Sequence, residues 1–118
     1  MITGTVRILP LAGRRAEVLE VLQSIQGPLL AQPGCSACRI YEEQGPEHAI
    51  VLFEVWDSPM ALETHLRSEA YRRILGAIEF SGAAPEVRFD HVSKTEGIEL
   101  IERARNPGGS TADTGAEP

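Results

Sequence analysis

Two side chains in the middle of the sequence could act together on an aromatic ligand. His65 lies about 60° around a predicted helix from Leu62, at roughly 100° per residue, so it flanks the apolar stripe. Because imidazole titrates near neutral pH, this side chain could deprotonate a phenol or hold the phenolate. Trp56 could stack on a planar ligand and donate one hydrogen bond. The alternatives are a half-buried histidine bonded to a carbonyl and a tryptophan that only fills the core.

A pair of cysteines, Cys35 and Cys38, has the spacing of a redox or zinc motif. On an extended strand, positions i and i+3 face opposite sides and lie about 10 Å apart. A disulfide needs Cα atoms within about 7 Å. Zinc needs two further ligands, and His48, His65 and His91 occur singly. We therefore expect two small buried thiols.

Several charged residues are weaker candidates for a site. Arg72 and Arg73 could bind a substrate anion from the predicted second helix, although a solvated helix face is the simpler interpretation. Arg39 could do the same from a strand, or form an ordinary ion pair. Glu54 could be a buried carboxylate at a dimer interface.

The composition excludes several classes of function. The 118 residues (12.8 kDa) suffice for one domain, and the net charge is −6, from 17 acidic and 11 basic groups. The sequence has no Lys/Arg run, so we expect neither nucleic-acid nor membrane binding. It shows no metal or nucleotide motif, which is compatible with a protein that uses no cofactor. The first residues lack the features of a signal peptide, so we expect a cytoplasmic protein.

Hydrophobic periodicity predicts alternating strands and helices. The predicted strands cover 2–9, 35–43, 49–56 and 86–93. The predicted helices cover 14–26, 59–79 with a division near Ser68, and 96–105. Gly27-Pro28 should interrupt the first helix, because Pro28 lacks an N–H donor. We expect one domain over 1–94, a helical extension over 95–105, and a disordered tail over 106–118, which has no large apolar residue.

The order of these elements predicts the fold class. A βαββαβ order is typical of the α+β ferredoxin-like fold, a four-stranded antiparallel sheet with helices on one face. The third strand is apolar on both sides: Val51, Phe53 and Val55 share one face, while Leu52 and Trp56 lie on the other. The open face needs a cover. We therefore predict a homodimer in which two sheets pack face to face as a dimeric α/β barrel.

Three short motifs occur in order along the chain: QPGCSACRIY at 32–41, EVWDSP at 54–59 and ALETHLRS at 61–68. They resemble the "EPGCLSYRLY", "EEWxs" and "ALxxHLxS" motifs of the antibiotic biosynthesis monooxygenase (ABM) domain family. The separations also match, so the resemblance covers about residues 2–93.

The resemblance implies a dimeric α/β barrel with a pocket between each sheet and its helices. It also implies one of several activities, which include cofactor-independent oxygenation of quinols and polycyclic phenols, haem cleavage and isomerisation of small phosphorylated sugars. Haem-cleaving members carry an Asn on the first strand and a His late in the second helix, where this chain has Val6 and Leu75. Polyketide oxygenases carry an Asn four residues before the Trp, where Leu52 stands. An Arg of their second helix corresponds to Arg72 or Arg73.

We therefore predict a quinol-type monooxygenase that uses O2 without a cofactor. The predicted catalytic residue is His65, and the predicted substrate-binding residues are Trp56, Phe53, Phe80 and Arg72. The ligand would be a small apolar or aromatic molecule. The alternative is a non-catalytic dimeric protein that binds a small ligand, an alternative that Val6 and Leu52 favour somewhat.

Overall fold

The computed structural model describes residues 1–108, which form one four-stranded sheet and four helices. The strands are β1 (Ile2–Ile8), β2 (Cys35–Glu42), β3 (Ile50–Trp56) and β4 (Glu86–His91). The helices are α1 (Arg15–Leu30), α2 (Pro59–Leu66), α3 (Glu69–Ile78) and α4 (Ile98–Arg105). The strand order is β2-β3-β1-β4, and every neighbouring pair is antiparallel. The predicted α+β ferredoxin-like fold is confirmed.

Alternation along β3 gives the sheet an inner and an outer face. Leu52 and Trp56 are fully buried on the inner face, where α1 and α3 pack. Val51, Phe53 and Val55 point to the outer face and stay half-buried. The prediction that β3 is apolar on both sides is confirmed, and no helix of residues 1–108 forms a layer on its outer face.

The first helix differs from its prediction, because Gly27-Pro28 does not interrupt it. α1 continues to Leu30 with Pro28 inside it. Pro28 removes one bond, to the carbonyl of Ser24, close to the end of the helix and on its exposed side. Leu29 is 0% exposed, so burial of this last turn outweighs the lost bond.

The predicted division of the second helical region is confirmed. The Ser58 hydroxyl accepts the Ala61 N–H at 3.2 Å, and Pro59 occupies the first turn of α2. The Ser68 hydroxyl accepts the Tyr71 N–H at 3.2 Å and begins α3. These two caps fix where α2 begins and ends, and therefore which of its residues face the sheet.

The two cysteines lie on the same side of the sheet, so the predicted opposite placement is wrong. The register shifts between Cys35 and Ala37, where β2 has an extra residue. As a result Cys35 pairs with Trp56 and Cys38 pairs with Glu54, and both thiols pack against the inner face. A β-bulge adds one residue to a strand and thereby reverses the side on which the earlier residues point. Both cysteines are free; Cys38 is buried as predicted, whereas Cys35 is only half-buried, so the prediction of two buried thiols is wrong for Cys35.

The chain after β4 forms the short helix α4, which stands apart from the core. None of its residues is buried, and Ile98 and Ile101 are 69% and 58% exposed. Most of the predicted disordered tail, 106–118, lies outside the described residues. Within residues 1–108, no helix combines the length and apolar character that crossing a membrane requires.

Candidate functional site

Three polar or aromatic side chains meet under the inner face of the sheet. The Trp56 indole N–H donates to Glu54 Oε1 at 2.8 Å, and His65 Nε2 lies 3.0 Å from the same oxygen. The rings of Trp56 and His65 stack, with centroids 4.5 Å apart and planes 23° apart. We call these three residues the buried triad, because each is at most 2% exposed.

The strand period and the cap of α2 bring the triad together. Glu54 and Trp56 are two residues apart on β3, so both point to the inner face. Since α2 begins at the Ser58 cap, Leu62 and His65 are its buried positions. Gly4 pairs with Glu54 from β1, and a Cβ there would lie 3.2 Å from the Phe89 ring but 3.8 Å from Glu54 Oε1, so the glycine leaves room for the Phe89 ring and not for the carboxylate.

His65 has an oxygen acceptor beside each ring nitrogen. Nδ1 lies 3.2 Å from the side-chain Oε1 of Gln32, within hydrogen-bond distance. Nε2 is close to Glu54, but the direction of that contact is poor for a hydrogen bond, and within residues 1–108 this buried atom has no aligned partner. The Tyr71 ring packs edge-on at 5.2 Å. The imidazole is therefore held by packing and by charge, while its hydrogen bonding is incomplete.

Glu54 places a negative charge inside the core. Burial, followed by this charge, raises the pKa of the Tyr71 hydroxyl. Burial, again followed by Glu54, raises the pKa of the Cys38 thiol to about 12. Both groups are thus neutral at pH 7, and the interior around the triad disfavours a second negative charge.

An open groove of about 600 Å³ lies next to the triad, between α2 and the turn that connects α1 to β2. Its lining includes Gln32, Gly34, Asp57, Met60, Ala61 and Thr64. Gln32 is the residue of this lining whose side chain also contacts the ring of His65. The groove and the buried triad therefore meet at one side-chain amide.

The structure brings together only part of the predicted site. Trp56 and His65 are in contact, but Phe53 points to the opposite face of the sheet. Phe80 packs at another part of the core, with the Arg14 guanidinium 5.2 Å from its ring centre. Arg72 is exposed and lies 3.6 Å from Glu69. Phe53, Phe80 and Arg72 are thus not part of the cluster around His65.

The sequence-based prediction differed from the structure for two members of the site, Glu54 and Gln32. For Glu54 the sequence allowed a buried position at a dimer interface, yet this residue faces the helices; its two-residue spacing from Trp56 was the signal that placed both on one face. Gln32 appeared only as part of a turn, and no local pattern shows its contact with a histidine 33 positions later. Among residues 1–108, no group of three or more His, Cys, Asp or Glu side chains could hold a metal ion.

The comparisons with known proteins agree with this architecture. The family model described as "Antibiotic biosynthesis monooxygenase" matches residues 1–77. A Mycobacterium tuberculosis protein of solved structure is 23% identical, with a TM-score of 0.73 over 81% of this chain and 98% of its own. A Deinococcus radiodurans protein described as a candidate antibiotic biosynthesis monooxygenase is 17% identical, with a TM-score of 0.73 over 83% of this chain and 98% of its own.

A third structural neighbour, from Bacteroides thetaiotaomicron, is described as a possible oxidoreductase of unknown function. It is 18% identical, with a TM-score of 0.63 over 75% of this chain and 92% of its own. No curated protein matches the chain in sequence.

Proposed function

Since the chain belongs to the antibiotic biosynthesis monooxygenase family, we propose that it is a monooxygenase that inserts one atom of O2 into a quinol or polycyclic phenol without a cofactor. The observation that carries this proposal is the buried triad. It places an imidazole, oriented by a carboxylate and an indole, directly behind a groove large enough for a small aromatic molecule.

The proposed role of His65 is to take the proton of the substrate. While Gln32 Oε1, which can only accept, is bound to Nδ1, the ring proton lies on Nδ1. Once the substrate hydroxyl replaces Gln32 there, the carboxylate beside Nε2 favours the ring proton on that nitrogen, and Nδ1 becomes the basic atom on the side of the groove. Trp56 already stacks on the imidazole and is fully buried, so its role is to hold the ring of His65. The substrate would lie in the groove and reach Nδ1 with its hydroxyl.

The reaction balances without an external reductant. The deprotonated, electron-rich substrate gives one electron to O2, and the two radicals combine to a peroxide on carbon. The peroxide is protonated by His65; loss of the second C–H proton then breaks the O–O bond. In sum, the ring methylene group that the phenol has in its keto tautomer reacts with O2 to give a carbonyl group and water. The carbon loses four electrons, and O2 gains them.

Oxygen uptake over a panel of quinols and anthrones tests this function. We expect uptake by the wild type, a decrease of at least about 100-fold in His65→Ala, and a smaller decrease in Trp56→Phe. His48→Ala is the matched control, because His48 is exposed and outside the triad. If no substrate is consumed, the oxygenase proposal fails; if His65→Ala equals the wild type, only the role of His65 fails.

A second candidate function is ligand binding without turnover. The positions where the resemblance places an asparagine in active relatives hold Val6 and Leu52, which pair across β1 and β3 and are 3% and 0% exposed. The sheet therefore offers no side-chain amide to a ligand at these positions. Binding of an aromatic ligand with no oxygen uptake on any substrate would favour this candidate.

We also propose that the protein is a homodimer and that its outer sheet face is the interface. Phe53, Val51 and Val55 lie there, no helix of the described part of the chain covers them, and a stable dimer would bury them.

A further inference from the structure

Gln32 lines the groove, and its side-chain amide also contacts the ring of His65. We propose that the Gln32 side chain is a gate: a neutral, planar ligand with a ring hydroxyl enters the groove and displaces the Gln32 amide from Nδ1 of His65. This inference deepens the proposed function, because it rests on His65 as the group that receives the ligand. It adds a positioning residue and a chemical class for the ligand.

The other sides of His65 are closed. Trp56 covers one face of the ring at 4.5 Å, and Tyr71 packs against it edge-on at 5.2 Å. Glu54 occupies the Nε2 side at 3.0 Å. The imidazole itself is 0% exposed, so a ligand atom can reach it only by replacing one of these neighbours. Gln32 is the neighbour that lines the groove and is half-buried rather than buried.

The side chain of Gln32 can move without its backbone. The Gln32 N–H donates to the Leu29 carbonyl at 3.0 Å, and the Gln32 carbonyl accepts the Cys35 N–H at 3.2 Å. In the same turn, the Gly34 carbonyl accepts the Asp57 N–H at 2.8 Å. These bonds hold the turn against α1 and the end of β3, whereas the side-chain amide makes one hydrogen bond to the described residues, at 3.2 Å to His65. Rotation of the side chain thus costs about one hydrogen bond.

The lining of the groove selects the charge of the ligand. Asp57 is its one charged residue among those described, and its carboxylate accepts the Ser36 hydroxyl at 2.6 Å. Glu54 adds a second negative charge behind His65. With one carboxylate in the described lining of the groove, a second behind His65 and no cation in that lining, an anionic ligand is repelled. Met60 and Ala61 offer apolar contact for an uncharged ring, and a hydroxyl replaces the amide at Nδ1 as either donor or acceptor.

The test is anaerobic binding of 2-naphthol, followed by NMR of the imidazole nitrogens and of backbone amides. Without O2, binding is measured separately from oxygenation. We expect shifts at His65 Nδ1, at Gln32 and at Met60. Gln32→Ala removes the competing amide and should tighten binding by about fivefold. Gln32→Glu places a carboxylate on Nδ1, holds the imidazole more strongly, and should weaken binding by about tenfold.

Gln23→Ala is the matched control, because Gln23 is an exposed glutamine of α1 away from the groove. Opposite shifts in affinity for Gln32→Ala and Gln32→Glu, with Gln23→Ala unchanged, would support the gate; a merely structural role of Gln32 would weaken binding in both variants. Equal affinities in all variants, no binding up to millimolar 2-naphthol, or shifts confined to the outer sheet face would overturn it. If 2-naphthol binds with these shifts but no substrate is oxygenated, the gate proposal stands and the oxygenase proposal fails.

Discussion

His65 Nε2 lies 3.0 Å from Glu54 Oε1 where neither residue is more than 2% exposed. Burial of a carboxylate costs several kcal/mol unless polar partners compensate it. Here the partners are one indole N–H and one imidazole edge, both on the same oxygen. Packing alone does not require a carboxylate here, because an apolar side chain would fill the same space without the free-energy cost of burying a charge. The retained charge is therefore the feature of the core that most favours a functional role.

Replacement of the carboxylate tests this balance. Glu54→Gln keeps the shape but removes the charge beside His65, and we expect a loss of about 1–3 kcal/mol in the free energy of unfolding, because a buried polar contact is left imperfectly paired. Urea unfolding measures it. Glu47→Gln is the control, because Glu47 lies on the surface at an exposed ion pair with Arg7. An equally stable or more stable Glu54→Gln would show that the carboxylate is maintained for function at a net cost in stability.

The sequence predicted the elements well because their signals are local. The two-residue period of β3 separated Phe53 from Trp56, and the Ser58 and Ser68 caps set the bounds of α2 and α3. The sequence-based prediction failed where tertiary packing outweighs a local preference of the backbone. At Pro28, burial of the adjacent Leu29 keeps α1 continuous despite the missing N–H donor.

The candidate site was only partly predictable for the same reason. The resemblance assigned Trp56 and His65 to one pocket, but a β-bulge near Ser36 changed the side on which Cys35 lies. Bulges depend on strand pairing, which periodicity within one strand does not report. The Gln32–His65 contact joins residues far apart in sequence and depends on how the α1–β2 turn packs beside α2. Only the folded chain shows it.

The pH dependence of stability should contain a contribution from Cys38. Its pKa is raised to about 12 in the folded state, first by burial, against about 8.5 for a cysteine in an unfolded chain. The folded state thus binds the proton more tightly. The contribution is complete below about pH 8.5 and is lost as the pH rises from there to about 12.

The variant Cys38→Ala isolates this contribution. Its unfolding free energy should be lower at neutral pH, because a cavity forms, but it should fall less steeply between about pH 8.5 and 11 than that of the wild type. Urea unfolding across that range gives both slopes. Cys35→Ala is the comparison, because burial also raises the pKa of Cys35, though less strongly. Parallel slopes for the wild type and Cys38→Ala would contradict the argument.

Gly34 should be intolerant of any side chain. It has a φ of +87°, and a Cβ there would lie 2.5 Å from the Cβ of Ala61. Gly34→Ala therefore combines left-handed backbone strain with a clash between the turn and α2, and we expect a loss of about 2–4 kcal/mol. Gly13→Ala is the control. The φ of Gly13 is +78°, but nothing lies within 4 Å of the added Cβ. This variant therefore measures the left-handed backbone strain alone, and we expect a loss of about 1 kcal/mol. Equal losses in the two variants would show that the turn and α2 do not pack this closely.

The homodimer can be tested on the outer face of the sheet. Phe53 is half-buried there and lies opposite Thr5 of β1 and Arg39 of β2. In Phe53→Lys an ammonium group replaces the largest apolar side chain of β3 on that face. If two outer faces pack together, the cost of burying two unpaired charges should raise the dimer dissociation constant by at least about 100-fold. Sedimentation at micromolar concentration would then change from a dimer mass to a monomer mass.

Met60→Lys is the matched control for the dimer, because Met60 is 77% exposed on α2, away from the sheet. It makes the same change of charge, so a general effect of charge would appear in both variants. A monomeric wild type would contradict the interface outright. A Phe53→Lys variant that stays dimeric would show that two copies associate through another surface, for which the exposed Ile98 and Ile101 of α4 are the next apolar residues to test.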